Sequence, residues 1–324
     1  MRVLVTGGTG FIGINVVRFL AEQGDDVVVL FRSSPDQEAL GFLADVKDRV
    51  SLVQGDVEDR QGLTGLVRDR QIEAVVHGAA MTPTLETERK MPLKIMQVNF
   101  MGTLHALEAA RANDVSRFVY VSSNGVYGAV EDPNEPVTED ARLAAKNLYG
   151  VAKIASEGVC RRYRMLYDMK VMSGRVCATY GPMERPSGSR KGMSAVYEAA
   201  HAALWGRRLR ASGLPVARSW THVEDIARGL VGMLKTPHCS HDVYNVSYGE
   251  AYTLRQVLEA VKEIDPSFEY AVVKEGMAAD VAYDESRQRG PMDVTRLRED
   301  IGYDPQYDLA SGLQAYMNWL ESQY

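Results

Sequence analysis

A glycine-rich turn lies between the first apolar run of the chain and its first amphipathic segment. The run Val3–Val5 is followed by residues 6–13, whose one-letter sequence is TGGTGFIG. In a strand–turn–helix unit, Gly7 permits a tight turn, Gly10 lets the backbone approach a ligand and Gly13 allows close packing of the helix. Free amides at the helix N-terminus bind phosphate groups. The spacing and its context therefore predict a dinucleotide-binding turn.

Short Val-rich runs alternate with helical patterns through the first two thirds of the chain. The runs lack strict polar alternation, which is typical of parallel strands buried on both faces. This order predicts an α/β fold, a Rossmann-type doubly wound parallel sheet with helices on both faces. The predicted strands are Val3–Val5, Val27–Phe31, Ser51–Val53, Ala74–His77, Phe118–Val121, Lys170–Val176 and Val243–Val246. The predicted helices include Phe11–Gln23, Leu93–Asn113, Asn147–Tyr167, Ser194–Trp205, Thr253–Glu263 and Leu309–Ser322.

The C-terminal third differs in composition from the rest. Residues 182–215 are rich in Gly, Pro, Arg and Ser, and two helical patterns follow residue 246. We therefore expect two domains. Residues 1–177, with about 221–247, would form the dinucleotide-binding Rossmann domain. A smaller C-terminal α/β domain, which would bind the substrate, takes about 178–220 and 248–324.

Composition excludes several functional classes. The 324 residues carry 37 Lys plus Arg against 43 Asp plus Glu, a net charge of −6, which argues against nucleic acid or an anionic membrane as partner. Only 3 cysteines are present, too few for a disulfide scaffold, so we expect a reducing cytoplasm. Because Met1 leads directly into a strand pattern, we expect no signal peptide.

The residues after the second strand bear on the choice of cofactor. A carboxylate at this strand end would hold the ribose 2′-hydroxyl of NAD, but Phe31 stands there and Arg32 follows. An arginine pairs with a 2′-phosphate, so the sequence favours NADP over the alternative, NAD. Asp56, after the third strand, is a candidate to accept from the adenine amino group or to cap the next helix.

A tyrosine and a lysine four residues apart form the predicted catalytic pair. Tyr149 and Lys153 share one face of a helix. A nearby ammonium stabilises a phenolate and so turns a weakly acidic phenol into a usable acid or base. Ser123 ends the preceding predicted strand, where ligands of open α/β sheets bind. Its hydroxyl would hold a substrate oxygen against Tyr149.

Taken together, these motifs and several others resemble the extended short-chain dehydrogenase/reductase family, in its NAD(P)-dependent epimerase/dehydratase group. The similarity covers essentially the whole chain, and its motifs occur in order. They are 6–13, 77–80, 98–103, 122–128, 149–153, 175–182, 218–225 and 301–305.

The resemblance implies an NAD(P)-dependent enzyme that transfers hydride to or from the nicotinamide. It implies that Ser123, Tyr149 and Lys153 are the catalytic residues and that the tyrosine relays the proton. The cofactor site would be lined by Gly7, Gly10, Phe11, Ile12, Arg32, Asp56, Val57, Ala79, Asn99 and Tyr180, together with Lys153. The resemblance also implies a homodimer, formed by the helices predicted at 93–113 and 147–167.

Two positions differ from the pattern of the 4,6-dehydratases in this family, and the difference limits which reactions the chain could catalyse. Sugar-nucleotide 4,6-dehydratases carry an Asp-Glu pair after the catalytic hydroxyl residue, and this pair performs the elimination of water. Here the two positions are Asn124 and Gly125, neither of which is a general acid or base. The sequence therefore argues against dehydration.

The other departures concern the diphosphate contacts of nucleotide-sugar epimerases. Arg218 matches one phosphate-binding arginine of that group, whereas Ala178 replaces an asparagine. A second arginine would be expected at the position of Tyr283, close to Arg287 and Arg289. Buried phosphates need paired charge, so the sequence leaves open whether the substrate carries a nucleoside diphosphate.

Three functional hypotheses remain. The first is an oxidoreductase that transfers hydride between nicotinamide and a hydroxyl or ketone of a small polar substrate, such as a sugar or sugar acid. Its anion would meet cations of the second domain, namely Arg185, Arg190, Lys191, Arg218, Arg287 and Arg289. The second is a nucleotide-sugar epimerase with a divergent diphosphate site. The third is a non-catalytic NADP(H)-binding protein. The candidate substrate-contacting residues are Asn124, Arg218, Arg287 and Arg289.

We expect no metal site. His238, Cys239 and His241 lie within four residues of one another, which rarely closes a tetrahedral zinc site, and no second ligand pair is evident.

Overall fold

Strands and helices alternate along the chain in the computed structural model, which describes residues 1–187, 190, 192–237 and 239–323. The strands are β1 (Arg2–Thr6), β2 (Asp26–Phe31), β3 (Val50–Gln54), β4 (Ala74–His77), β5 (Arg117–Ser123), β6 (Lys170–Val176), β7 (Ala178–Tyr180), β8 (Leu209–Ser212), β9 (Ala217–Arg218), β10 (Trp220–His222), β11 (Val243–Val246), β12 (Tyr252–Thr253), β13 (Tyr270–Val272) and β14 (Val281–Ala282). The helices are α1 (Phe11–Glu22), α2 (Gln37–Phe42), α3 (Arg60–Asp69), α4 (Leu85–Lys90), α5 (Pro92–Met96), α6 (Gly102–Arg111), α7 (Leu148–Tyr167), α8 (Ala195–Leu204), α9 (Val223–Lys235), α10 (Leu254–Ile264), α11 (Thr295–Ile301) and α12 (Leu309–Glu321).

One parallel sheet of seven strands organises the N-terminal part. Its order is β11-β6-β5-β4-β1-β2-β3, and all seven runs predicted as strands belong to it. In the register, Val5 of β1 lies beside Val29 of β2 and Val76 of β4. The order of strand addition reverses between β1 and β4, so a crevice opens there at the carboxyl ends of the strands. The predicted doubly wound α/β fold is confirmed.

Apolar side chains cover both faces of this sheet. Alternate residues of β1 point to opposite faces, so Val5 belongs to the cluster that α1 and α9 cover, and Leu4 to the one that α3 and α6 cover. A third apolar cluster is built around β8, α8, α10 and α12, with Leu209 and Leu313 at its centre. This separate core favours the two-domain division, which remains a prediction.

Two local expectations differ from the structure. The helix predicted at 93–113 is not continuous, because a π-helical turn, Gln97–Met101, separates α5 from α6. Residues 221–247, predicted to belong to the Rossmann domain, reach the main sheet only at their C-terminal end. Instead, β10 pairs with β7, and only β11 joins β6 in the sheet. Within the described ranges, no helix combines the length and apolar character that crossing a bilayer requires.

Candidate active site

A cavity of about 700 Å³ opens at the carboxyl ends of the central strands. It runs from the glycine turn after β1 to Tyr149 and Lys153 on α7. The cavity therefore connects the predicted phosphate-binding turn to the predicted catalytic pair. Its volume lies in the range of small-molecule and cofactor sites. Of the predicted cofactor residues, those on its wall are Gly7, Gly10, Phe11, Ile12, Arg32, Asp56, Val57 and Ala79.

The glycine turn is shaped so that side chains are excluded from it. Gly7 has a φ of +69°, and a Cβ there would lie 2.7 Å from the amide nitrogen of Ala79. A Cβ on Gly13 would lie 2.1 Å from the carbonyl oxygen of Gly7. Gly10 is the N-cap of α1, and no side chain caps the helix there. Its first amides therefore remain available for phosphate, and the cradle fits a dinucleotide.

The far end of the cavity holds the residues predicted to contact the adenosine. Arg32 is exposed at the lip, beside Ser33 and Ser34. Asp56 accepts a hydrogen bond from the amide of Glu58 at 3.0 Å. The next helix, α3, is capped by Asp59 instead. The capping role that the sequence left open for Asp56 is therefore filled by another residue.

Asn99 lies behind the wall of the cavity. It sits in the π-helical turn and is 1% exposed. Its side-chain oxygen accepts from the amide of Met81 at 2.7 Å, and its Nδ2 donates to the Met81 carbonyl at 2.9 Å. Asn99 thus fixes the backbone of a residue that lines the cavity.

The side chain of Tyr180 points away from the cavity. Its ring is 1% exposed and packs against His222 at 5.6 Å and Tyr316 at 6.4 Å, measured between ring centroids. It belongs to the third apolar cluster. The Tyr180 ring is not part of the cavity wall, and a contact of this residue with the cofactor stays a prediction.

Ser123, Tyr149 and Lys153 come together as the sequence predicted. Asn147 caps α7 by accepting from the amide of Gly150 at 2.9 Å, which sets Tyr149 in the first turn. Burial raises the pKa of the Tyr149 phenol, and a hydrogen bond from Ser123 together with the charge of Arg190 opposes that rise. The Lys153 Nζ lies 5.5 Å from the centroid of the Tyr149 ring. This arrangement can move a proton between the phenol and a bound oxygen.

Lys153 is buried and held in one position. Its Nζ donates to the carbonyl oxygen of Val121 at 2.7 Å and lies 4.6 Å from the centroid of the Tyr120 ring. Burial lowers the pKa of Lys153 to about 8, although the charge of Glu157 opposes the shift. The amine is therefore mostly protonated at neutral pH, and Lys153 lines the cavity.

A buried network supports the lysine from below. Glu157, one turn after Lys153 on α7, accepts from Ser122 Oγ at 2.5 Å and forms an ion pair with Arg175 at 2.7 Å. Arg175 also donates to the Tyr127 hydroxyl at 3.0 Å and to the Glu139 carbonyl at 2.8 Å. The network connects α7 to β5 and β6, and it therefore fixes the position of Lys153 relative to the sheet.

Three arginines converge beside the turn that follows Ser123. The Cζ atoms of Arg218 and Arg287 lie 5.4 and 5.5 Å from the centroid of the Tyr283 ring. Arg289 donates to the Gly128 carbonyl at 2.7 Å. Burial and the charges of the other two arginines lower the pKa of Arg289 to about 10. We call Arg218, Arg287 and Arg289 the arginine cluster.

The carboxylate of Asp284 interacts electrostatically with Arg287, but it does not form an ion pair with the arginine cluster. Of the ion pairs formed between described residues, none includes Arg218, Arg287 or Arg289. The sequence count placed a phosphate-binding position at Tyr283; in the structure that side chain is the ring on which the cluster packs. Asn124 begins the 3-10 turn Asn124–Tyr127 between Ser123 and the cluster.

A strap, residues 182–187 with 190, covers the glycine turn. It carries Arg185 and Arg190, which the sequence predicted as cations for a substrate anion and which line the cavity beside that turn. Its root is fixed, because Asn15 donates to the Pro182 carbonyl at 2.9 Å and Met183 is buried. Arg185 then binds both carboxylate oxygens of Asp36 at 2.9 Å across the cavity. A run of loop residues has no periodicity, so no sequence signal could have located it. Lys191 and His238 lie outside the described residues, within which no group of three potential metal ligands occurs.

Comparison with known proteins identifies the family of this chain. The sequence profile of the GDP-mannose 4,6-dehydratase family matches residues 4–316. The chain is 30% identical to the low-salt glycan biosynthesis protein Agl12 of Haloferax volcanii, over 98% of each chain. It is also 30% identical to the UDP-glucose 4-epimerase of Mycolicibacterium smegmatis, over 97% of this chain and 96% of the other.

Solved structures of related enzymes have the same fold as this chain. The UDP-glucose 4-epimerase of Thermotoga maritima, with UDP-glucose, superposes with a TM-score of 0.84 at 25% identity and covers 100% of this chain and 99% of its own. The UDP-glucose 4-epimerase of Thermus thermophilus, in complex with NAD, has a TM-score of 0.82 at 26% identity and covers 100% of both chains. The chain therefore belongs to the GDP-mannose 4,6-dehydratase family and is an enzyme of the extended short-chain dehydrogenase/reductase type.

Proposed function

We propose that this protein acts on a nucleotide-linked sugar and interconverts the configuration of one of its hydroxyl-bearing carbons. The observation that carries the proposal is the arginine cluster. Three guanidinium groups in one place, none of them in an ion pair with another described residue, suit a ligand with at least two negative charges. Arginine binds phosphate oxygens with two parallel hydrogen bonds. A diphosphate next to the Ser123 turn would satisfy the cluster. The epimerase hypothesis is therefore preferred over the free sugar.

The proton chemistry belongs to Tyr149. The phenolate accepts the proton of a substrate hydroxyl, and the phenol returns it when the carbonyl is reduced. Ser123 donates to the same oxygen, and the ammonium of Lys153 stabilises the phenolate. The bound nicotinamide supplies the acceptor and donor of hydride. Asn124 and Gly125 stand where 4,6-dehydratases carry an Asp-Glu pair, and neither is an acid or base, so these positions do not supply the elimination of water.

The cofactor would lie along the cavity with its phosphates on the α1 amides. Gly7, Gly10, Phe11 and Ile12 would hold the diphosphate, as the uncapped helix N-terminus requires. We assign NADP, because Arg32 is exposed at the lip with two serines beside it, and no ion pair between described residues engages it. NAD, which is named in five of the related structures, is the alternative.

A second candidate is a net dehydrogenase or reductase. It is favoured by Arg32, because an NADP-dependent enzyme exchanges its cofactor at each turnover, whereas an epimerase regenerates it in place. Its substrate would be a sugar or sugar acid, whose anion would meet the same cluster.

The protein is proposed to form a homodimer through α5 and α7. Leu93 on α5 is 77% exposed, and Val151 on α7 is 44% exposed. Large apolar side chains of this exposure on adjoining helices suit an interface between two copies.

A ligand-stabilisation screen tests the substrate class. The protein, saturated with NADP, is heated with UDP, dTDP, GDP or a panel of free sugars and sugar acids. A ligand of the native state at a hundredfold excess over its Kd stabilises by about 2.7 kcal/mol. We expect a rise in Tm with one nucleoside diphosphate. That rise should disappear in Arg218→Gln and Arg287→Gln and persist in Arg208→Gln, an arginine that is 65% exposed.

The alternative result is equally definite. If no nucleotide changes the Tm and a free sugar acid raises it, the substrate is not nucleotide-linked. The second candidate then replaces the first. Tyr149→Phe separates both enzymes from a non-catalytic NADP(H)-binding protein, because an enzyme would lose turnover and retain its cofactor.

A further inference from the structure

A second cation lies in the same cavity as Tyr149 and Lys153. Arg190, on the strap, lines the cavity, and its Cζ lies 5.0 Å from the centroid of the Phe11 ring at the start of α1. Its side chain is 27% exposed. It is the strap, and not the helix that carries Tyr149, that delivers this charge.

Arg190 is anchored by a carboxylate that has no exposure to solvent. Glu184 Oε1 accepts from Arg190 Nη2 at 2.5 Å and from the amide of Ser194 at 2.7 Å, and its Oε2 accepts from Ser194 Oγ at 2.8 Å. The Glu184 side chain is 0% exposed. A buried carboxylate with three donors is a built anchor, because burying it without partners would cost several kcal/mol.

The anchor fixes both the position and the direction of the charge. Ser187 and Arg190 close a short loop, since the Ser187 amide donates to the Arg190 carbonyl at 2.8 Å. With Glu184 behind it in the protein and the cavity in front, the ion pair presents its positive end to the cavity. A surface arginine without such an anchor would be screened by water and would have little effect.

We propose that Arg190, anchored by Glu184, is a positioning residue that stabilises the phenolate of Tyr149 across the cavity that both residues line. The proposal rests on the acid–base role given to Tyr149 under the proposed function. It adds a cation from the strap to the Ser–Tyr–Lys arrangement and assigns a purpose to the buried Glu184, which the reaction does not otherwise use.

The other groups that face Tyr149 do not replace this charge. On its own helix these are Lys153 and, one turn below, Glu157. On the adjoining strand and turn they are Tyr120 and Ser123. Burial raises the pKa of Tyr149, and the two influences that lower it are the Ser123 hydrogen bond and the charge of Arg190. Without Arg190, the Ser123 hydrogen bond and the ammonium of Lys153 would remain to oppose the effect of burial.

The test is a pH titration of Tyr149 in the holoprotein. Tyrosinate absorbance is recorded with saturating NADP, and the same titration of Tyr149→Phe is subtracted to remove the other 15 of the 16 tyrosines. Arg190→Gln should raise the midpoint by at least ~0.5 pH unit. Arg190→Lys, which keeps the charge, should restore most of the shift. The far-UV circular dichroism spectrum, measured in parallel, reports whether each variant is folded.

Glu184→Gln distinguishes electrostatics from a displaced strap. The amide oxygen can still accept from Arg190 and from the Ser194 amide, and the new amide NH2 can donate to Ser194 Oγ. Removing the negative charge should leave the midpoint unchanged or lower it, opposite in sign to Arg190→Gln. The proposal is overturned if Arg190→Gln leaves the midpoint in place, or if both variants raise it equally. No sugar nucleotide is used, so a failure here is separate from a failure of the substrate assignment.

Discussion

Glu157 and Arg175 form an ion pair of 2.7 Å below Lys153, with side chains only 5% and 3% exposed. Removing one partner of such a pair leaves an uncompensated buried charge. Glu157→Gln should therefore lower the free energy of unfolding by about 3 kcal/mol or more, measured by urea denaturation. The control is Glu108→Gln. Its pair with Arg111 is partly exposed and is worth less than ~1 kcal/mol. Equal losses in both variants would contradict the argument.

The close packing of the glycine turn predicts that one added methyl group will strongly weaken cofactor binding. Gly13→Ala would place a Cβ 2.1 Å from the Gly7 carbonyl oxygen, so the turn must open and its amides must move. NADPH should bind at least ~10-fold more weakly, which fluorescence titration measures. Gly158→Ala is the matched control, because its Cβ would meet no atom within 4 Å on α7. That variant should keep its affinity and gain slightly in stability.

The sheet and the cradle could be predicted because each depends on a local pattern. Val-rich runs, glycine spacing and the four-residue step from Tyr149 to Lys153 are read from neighbours in the chain. The helix predicted at 93–113 was wrong in one respect, since a π-helical turn interrupts it. That turn is stabilised by contacts from Asn99 to Met81 and from Ser156 to the Asn99 carbonyl, which are distant in sequence.

The substrate side could not be predicted in the same way. The second phosphate-binding position was counted to Tyr283, but the guanidinium groups come from Arg287 and Arg289, and only the folded chain brings them to Arg218. The strap has no repeating pattern either. Its path depends on the buried Glu184 and on Asn15 of α1, and therefore on tertiary contacts that no window of sequence contains.

Arg32 should determine the preference between the two nicotinamide cofactors. Arg32→Ala removes the only predicted partner of the 2′-phosphate and leaves the glycine turn untouched. The Kd for NADPH should rise about 10-fold or more, as loss of a charge-assisted contact requires, while the Kd for NADH stays the same. NADH is thus the internal control. If the wild-type protein binds NADH more tightly, the assignment of NADP is wrong.

The pair Asp36–Arg185 should slow release of the cofactor, because it joins the strap to the lip of the cavity. Asp36 is 58% exposed and also caps α2 by accepting from the Ala39 amide. Asp36→Asn keeps a good capping residue and removes the charge. An exposed ion pair is worth up to ~1 kcal/mol, so the NADPH off-rate should rise about two- to fivefold. Arg185 also pairs with Glu38 at 3.7 Å, so stopped-flow release in rising NaCl should accelerate more for the wild type than for the variant.

His222 should make the fold sensitive to acid. It is 1% exposed, neither ring nitrogen has a hydrogen-bond partner among the described residues, and burial lowers its pKa to about 4. Between about pH 6.5 and pH 4 the unfolded chain binds a proton that the folded chain does not. The free energy of unfolding therefore falls on acidification, by up to ~1.4 kcal/mol per pH unit from this residue.

His222→Phe removes both the titration and the two unpartnered nitrogens. Its Tm should fall less than that of the wild type between pH 6.5 and pH 4, while His241→Phe, at a half-buried loop position, should follow the wild type. His77 contributes in the same direction, since burial and the charge of Lys153 lower its pKa to about 3. The slope should therefore be reduced and not abolished, and an unchanged slope in His222→Phe would mean that His222 is protonated in the fold.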